Sequence, residues 1–205
     1  MKSIIVFLFA FSVFGNQNLP APYNDVKEIL PYLDHGWFWN IHQLEDIFKN
    51  RKIEKIIEVG SWLGSSTIYF ANHVSENGKV YAVDHWEGSI EHKECELLPT
   101  LYKQFLSNII HKNLTHKVIP IKMKSFEASF NLNDKADIIY IDAAHDEKNV
   151  FQDIYQYFPK LKEDGIMCGD DWGCASVRKA VKKYAKAHNL EVISNKNFWY
   201  YKPKK

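Results

Sequence analysis

Acidic residues recur where short apolar runs end. Glu58 lies inside Ile56–Val59, Asp84 follows Val80–Val83, Asp142 follows Ala136–Ile141, and Asp170 and Asp171 follow Ile166–Gly169. If those runs are strands of one open sheet, the acids meet beyond its carboxyl edge, where ligands bind in such sheets. Carboxylates gathered there repel one another and resist burial. A cation or a hydroxyl-bearing ligand relieves both costs. Asp142, Asp170 and Asp171 offer hard oxygen donors, which suit Mg2+ or Ca2+ better than zinc. Asp84 follows a glycine turn by about 20 residues, the distance at which a carboxylate takes the hydroxyls of a ribose. Each acid could instead cap the helix that follows its strand. His145 comes shortly after Asp142. Its imidazole titrates near neutrality and suits a general base for a hydroxyl. A structural or exposed histidine is the plain alternative. His85 and Trp86, next to Asp84, are placed to wall the same crevice, Trp86 by stacking.

The element that must position these groups is Ile56–Ser66, with the sequence IIEVGSWLGSS. An apolar run ending in an acid breaks into Gly60-Ser61-Trp62-Leu63-Gly64 and restarts with a helical pattern. Glycine permits unusual dihedrals and close approach of backbone to ligand. A helix start offers unpaired N–H groups. Strand, turn and helix start together make a seat for a ligand with a polar or charged end. Glu58 beside the turn disfavours a phosphate and suits a cationic end, such as an amino group or a sulfonium. The glycines fall in G-x-x-x-G, without the G-x-G-x-x-G spacing of a dinucleotide cradle. That spacing argues against a dinucleotide-dependent oxidoreductase. Trp62 inside the turn serves either packing or contact.

The remaining patterning predicts strands alternating with helices. Two helices, about Asp25–Leu33 and Asn40–Asn50, precede the first strand, with His35–Trp39 between them. Strands follow at about Lys55–Val59, Val80–Val83, Lys117–Ile121, Ala136–Ile141 and Ile166–Gly169. Helices are expected over about Ser65–Val74, Leu97–His111, Met123–Phe130, Glu147–Leu161 and Ser176–His188, with a turn at Lys162–Gly165. The chain closes with strands at about Leu190–Ser194 and Asn197–Tyr201, joined by Asn195-Lys196 in a hairpin. Such alternation implies an α/β fold with a mostly parallel, Rossmann-like sheet covered on both faces.

The 205 residues are enough for one domain with a sizeable core. A net charge of +1 gives no reason to expect a nucleic-acid partner. Cys95, Cys168 and Cys174 form neither a disulfide framework nor a zinc pattern, and Cys168 in its apolar run reads as a buried thiol. A basic start, the apolar run Ile4–Phe14 and Gly15 read as a secretory signal peptide over residues 1–15. Residues 16–24 then read as a linker and 25–205 as the domain. The leader is short for a bilayer span. The protein is expected to be exported if it is cleaved, and cytoplasmic or membrane-associated otherwise. A homodimer is left open.

Four motifs in order, Glu58–Gly64, Val83–Gly88, Ile141–His145 and Gly169–Trp172, resemble class I S-adenosylmethionine (SAM)-dependent methyltransferases. They are most similar to the small bacterial branch related to catechol-type and sugar O-methyltransferases. The resemblance spans Trp37 to the C-terminus. It implies a seven-stranded sheet with the last strand antiparallel. It implies that Glu58, Gly60, Ser61 and Gly64 surround the methionine part of SAM, with Asp142 close by. Asp84 would hold the ribose and Lys124-Ser125-Phe126 would lie near the adenine. In metal-dependent relatives Asp142, Asp170 and Asp171 match the ligands of a cation such as Mg2+, some relatives having Asn at the position of Asp171. Catechol-type members have a catalytic Lys where this chain has His145. The base is then His145 or a carboxylate such as Asp142. The implied function is O-methylation of a hydroxylated small molecule, sugar or catechol-like. A non-catalytic ligand-binding module with the same fold is the alternative. Ser89–Thr100 and the two N-terminal helices are expected to shape the acceptor pocket.

Overall fold

The computed structural model describes residues 18–34, 37–89 and 92–203. The predicted leader, residues 1–15, lies outside them. Among the described residues no helix is long and apolar enough to cross a membrane. Seven strands, β1 (Lys55–Val59), β2 (Lys79–Asp84), β3 (Val118–Lys122), β4 (Ala136–Ile141), β5 (Leu161–Gly169), β6 (Leu190–Asn195) and β7 (Phe198–Pro203), form one sheet in the order β3-β2-β1-β4-β5-β7-β6. The first five pair in parallel, and β7 runs antiparallel to both neighbours, β5 and β6. The Rossmann-like expectation and the closing hairpin are both met.

The central strands are apolar on both faces because both are covered. On one face Ile56, Val80, Ala82, Ile138 and Tyr140 pack with residues of α1 (Ile41–Phe48), α2 (Ser65–His73) and α3 (Leu101–His111). On the other, Ile57, Val59, Val83, Ile139 and Ile141 pack with α4 (Ser125–Asn131), α5 (Glu147–Tyr157) and α6 (Ala175–Ala187). Strand order reverses between β1 and β4, so a crevice opens at their carboxyl ends.

Two local expectations fail. No helix forms over Asp25–Leu33; only a 3-10 turn, Tyr23–Asp25, is present there. Pro31 lacks an N–H and disfavours helical backbone at Leu30. The segment instead lies along α3, whose polar side chains satisfy its backbone. Leu30 N–H donates to Ser107 Oγ (3.0 Å), Gln104 Nε2 to Pro31 O (2.8 Å), and Leu33 N–H to Asn108 Oδ1 (3.1 Å). The turn expected at Lys162–Gly165 is an irregularity inside β5: Ala136 pairs with Leu161 but Ile138 pairs with Ile166. Tyr23, at the end of the stretch read as a linker, is fully buried and donates its hydroxyl to Val118 O (3.0 Å). All three cysteines are free, with Cys168 buried as expected.

Candidate functional site

The carboxyl edge of the sheet opens into a cavity of about 780 Å³. Gly60, Ser61, Trp62, Asp84, His85, Ser125, Asp142, His145, Asp170 and Asp171 all line it. The acids at the ends of β2, β4 and β5 therefore do share one crevice.

Glu58 does not line the cavity, and its expected contact with the ligand is corrected. The side chain is fully buried beneath the turn and accepts from Ser61 Oγ (2.7 Å), Ser66 Oγ and Thr67 Oγ1. Burial pushes its carboxyl up to about 7; the Ser66, Thr67 and Ser61 hydroxyls pull it down and the Asp84 charge adds to the rise. Glu58 thus organises the turn and the first turn of α2 from below. Ser65 and Ser66, at the start of α2, present this seat to the cavity.

Gly60 has φ +93°, and a Cβ there would lie 2.0 Å from Asp142 O and 2.8 Å from Ala143 Cα. Its absent side chain lets the ends of β1 and β4 close together. Gly64 does not line the cavity. It is the left-handed N-cap of α2, φ +91°, and faces the Phe105 ring. Its role is to redirect the chain. Trp86 is also corrected. It is buried against Tyr102 and Phe105, away from the cavity, and its Nε1–H donates to Trp62 O (2.7 Å). That bond holds the turn, where Trp62 has φ +46°.

Asp84 reaches the cavity but is tied to backbone. Its Oδ2 accepts from Ser61 N–H (3.1 Å) and Trp62 N–H (2.9 Å), and its Oδ1 from Trp86 N–H (2.7 Å). A carboxylate has about four lone-pair sites, so capacity remains for a ligand hydroxyl. His85 accepts from Glu87 N–H through Nδ1 (2.9 Å) and lines the same wall.

The opposite wall carries the candidate chemistry. Asp142 is held well above the usual carboxylate range by burial first, then by the negative charges of Asp170, Asp171 and Glu58, with His145 pulling it back. Asp170 is raised as well, chiefly by burial. Asp171 is lowered, first by its bond to His145, at 2.7 Å between Oδ2 and Nε2. Asn197, in the turn between β6 and β7, donates to Asp171 Oδ1 (3.2 Å), and Trp199 Nε1–H donates to Asp170 O (2.9 Å). The hairpin thus buttresses the acidic corner. The Nε2–Oδ2 contact orients the His145 imidazole against the acidic corner.

The expected metal set is not assembled as three converging carboxylates. Among the described residues no group of three His, Cys, Asp or Glu is placed to hold an ion. Asp171 is turned to His145 and Asn197 instead. Asp142 and Asp170 remain, hard oxygen donors in mutual repulsion, and that donor chemistry fits Mg2+.

Several lining residues carry no signal in the strand-end pattern. Trp37, Phe38 and Trp39 line the cavity from the segment before α1; Gly88, Ser89 and His92 line it from the β2–α3 connection. Of the regions expected to shape the acceptor pocket, Ser89 and His92 line the cavity, whereas residues 25–33 and α1 do not; the segment between those two, Trp37–Trp39, lines it instead. Trp62 stacks on His92 with ring centroids 4.5 Å apart and packs on Trp37 at 5.5 Å. Asn149, Gln152 and Asp153 reach the cavity from α5. Asp153 was legible as an acid on the same helical face as Val150, Ile154 and Tyr157, all buried.

The fold is shared with solved methyltransferases. An O-methyltransferase from Bacillus cereus in complex with SAH aligns with TM-score 0.58 and 19% identity, covering 92% of this chain and 94% of that one. The O-methyltransferase TomG from Streptomyces achromogenes, in complex with SAM, aligns with TM-score 0.62 and 14% identity over 80% and 78%. A precorrin 8w decarboxylase from Methanobacterium thermoautotrophicum aligns with TM-score 0.63 and 14% identity over 88% and 98%. At these identities the likeness is one of fold, which hosts more than one chemistry. No curated protein matches the chain in sequence. The family model described as a methyltransferase domain matches residues 57–172, from the strand beneath the glycine turn to the acidic corner, and the chain belongs to that family of class I methyltransferases.

Proposed function

We propose that the protein transfers a methyl group from SAM to a hydroxyl of a small polar acceptor, of sugar or catechol type, with a divalent cation assisting. One observation carries this reading: a single cavity joins the Gly60–Gly64 turn to Asp142 and to His145 held by Asp171. When bound, SAM supplies an electrophilic sulfonium methyl. The start of α2, with Ser65 and Ser66, seats its amino-acid end, and Asp84 takes the ribose. The acids of the acidic corner favour a cationic sulfonium nearby by charge. His145, oriented by Asp171, would accept the proton of the acceptor hydroxyl, and bound SAM would supply the methyl group to that oxygen as its sulfonium–methyl bond breaks and S-adenosylhomocysteine leaves. Asp142 and Asp170 would hold Mg2+, whose charge lowers the pKa of a hydroxyl placed beside it. Positioning and charge stabilisation carry the rate. The acceptor enters past Trp37–Trp39 and Ser89.

Equilibrium binding of labelled SAM with and without Mg2+ tests the reading, followed by turnover on a panel of sugars and catechols. Micromolar SAM binding and Mg2+-stimulated methylation of one class are expected. Absence of SAM binding at millimolar concentration would refute enzymatic methyl transfer. Binding without turnover on any hydroxylated acceptor would favour the non-catalytic module.

A further inference from the structure

Asn108, on α3, lies outside the cavity lining and is only 1% exposed. Its side-chain amide has two donors and an oxygen with two lone pairs, and all four are used. Oδ1 accepts from Leu33 N–H (3.1 Å) and from Gln104 Nε2 (3.0 Å). Nδ2 donates to Leu33 O (2.9 Å) and to Leu63 O (2.8 Å). One buried amide therefore joins the glycine turn to residues 26–34, a segment with no helix or strand of its own. The bond to Leu63 fixes more than a carbonyl. Leu63 O and Gly64 N–H belong to one planar peptide, so holding the first aims the second. Gly64 N–H donates to Ser61 O (2.8 Å) and closes the turn, and Ser61 lines the cavity. A second bond runs between the same two regions. Ser65 Oγ, at the start of α2 and on the cavity wall, donates to Asp34 Oδ1 (3.1 Å). Residues 26–34 do not line the cavity themselves. Side chains of α3 hold their backbone, Ser107 at Leu30 N–H and Gln104 at Pro31 O. A segment held by side chains and not by a backbone ladder can open apart from the core.

We propose that Asn108 is a positioning residue for methyl transfer, coupling the docking of residues 26–34 to the shape of the glycine turn. With the segment docked, Leu33 holds both ends of the Asn108 amide and leaves one Nδ2 hydrogen aimed at Leu63 O. Asp34 then also holds the Ser65 hydroxyl. With the segment open, the amide loses its orientation and Ser65 its acceptor. Such coupling is reciprocal, so a ligand that fixes the turn also holds the segment down. The proposal rests on the SAM reading and adds to it a residue that does not meet the cofactor.

Hydrogen exchange followed by mass spectrometry on the full chain, with and without saturating S-adenosylhomocysteine, tests the coupling. Calorimetric titration of the same ligand accompanies it. In the wild-type protein the ligand is expected to slow exchange over residues 26–34 by at least about fivefold, more than in segments remote from the turn. Asn108→Ser cannot span Leu33 and Leu63; it should weaken binding by at least about tenfold and abolish the protection. A purely structural Asn108 would instead lower stability to urea and leave the affinity of the folded protein unchanged. Asp34→Ala, at an exposed position, keeps the test open should Asn108→Ser fail to fold. It should weaken binding by about threefold, and Asp34→Asn, which retains an acceptor oxygen, should restore it. Wild-type binding with unchanged exchange over residues 26–34, or with slowing spread evenly along the chain, overturns the proposal. So does wild-type affinity in both Asn108→Ser and Asp34→Ala. If the wild-type protein does not bind the ligand at millimolar concentration, the SAM reading itself fails and the coupling falls with it.

Discussion

Replacing Glu58 with glutamine should make the fold more tolerant of alkaline pH. Glu58 is fully buried beneath the glycine turn, and its carboxyl is raised from the ordinary 4.5 to about 7 by burial, against three hydroxyl donors. In the unfolded chain it ionises near its ordinary value. Below pH 4.5 the acid is protonated in both states and the fold carries no ionisation penalty. As pH rises past 7 the folded state must hold a buried anion, and about 3 kcal/mol of stability is lost. Most of that, about 2 kcal/mol, falls between pH 5 and pH 8. Glutamine keeps the shape and an acceptor oxygen but cannot ionise. Asp142 and Asp170 are also raised by burial and give the wild-type curve a slope of their own. The difference between wild type and Glu58→Gln therefore reports Glu58 together with its smaller effect on Asp142. Urea unfolding followed by circular dichroism at pH 5, 6, 7 and 8 measures it. The variant should be less stable than, or equal to, wild type at pH 5, and should gain about 2 kcal/mol relative to it by pH 8. Parallel stability curves would refute the argument and mean that Glu58 is ionised in the fold at pH 5, its hydroxyl bonds outweighing desolvation.

Other perturbations separate the roles of the site. Asp142→Ala should lower turnover by at least about a hundredfold while SAM affinity by titration changes little; equal loss of both would make Asp142 structural. Gly60→Ala should cost at least about 3 kcal/mol in chemical denaturation, since the added carbon would lie 2.0 Å from Asp142 O at φ +93°. Asp171→Asn and His145→Ala should each slow turnover by about a hundredfold in single-turnover assays, and the double variant should be no slower than the worse single one, because the two act as a unit. Additive losses would show that they act separately.

Most of the sheet was legible because parallel strands buried on both faces are short apolar runs, and here glycine, asparagine and acidic residues bound them. β1 and β4 fall where the runs do, Lys55–Val59 and Ala136–Ile141. The helix that failed, over Asp25–Leu33, was read from apolar spacing alone. Pro31 was the contrary signal, and the segment's partners, Ser107 and Asn108, lie more than seventy residues on. Periodicity sees side-chain faces, not which distant side chain will satisfy a backbone N–H. The last two strands were placed within a few residues, but Asn197 was read only as a strand start and not as the support of Asp171.

The acids show the same division at the site. Strand-end position correctly gathered Asp84, Asp142, Asp170 and Asp171 around one cavity. It did not say which oxygen faces ligand and which faces protein. Alternation settles Glu58 once the sheet is known. Ile57 and Val59 point to the α4–α6 face, so Glu58 must point to the α2 face, under the turn. An acid inside a strand therefore reads differently from one just past its end. The inside position is fixed by the pleat and becomes part of the fold; the position past the end is free of the pleat and can be aimed at the cavity. A buried acid inside an element is thus a pointer to the groups that satisfy it, as the Ser61, Ser66 and Thr67 hydroxyls do for Glu58 beneath the turn that walls the cavity.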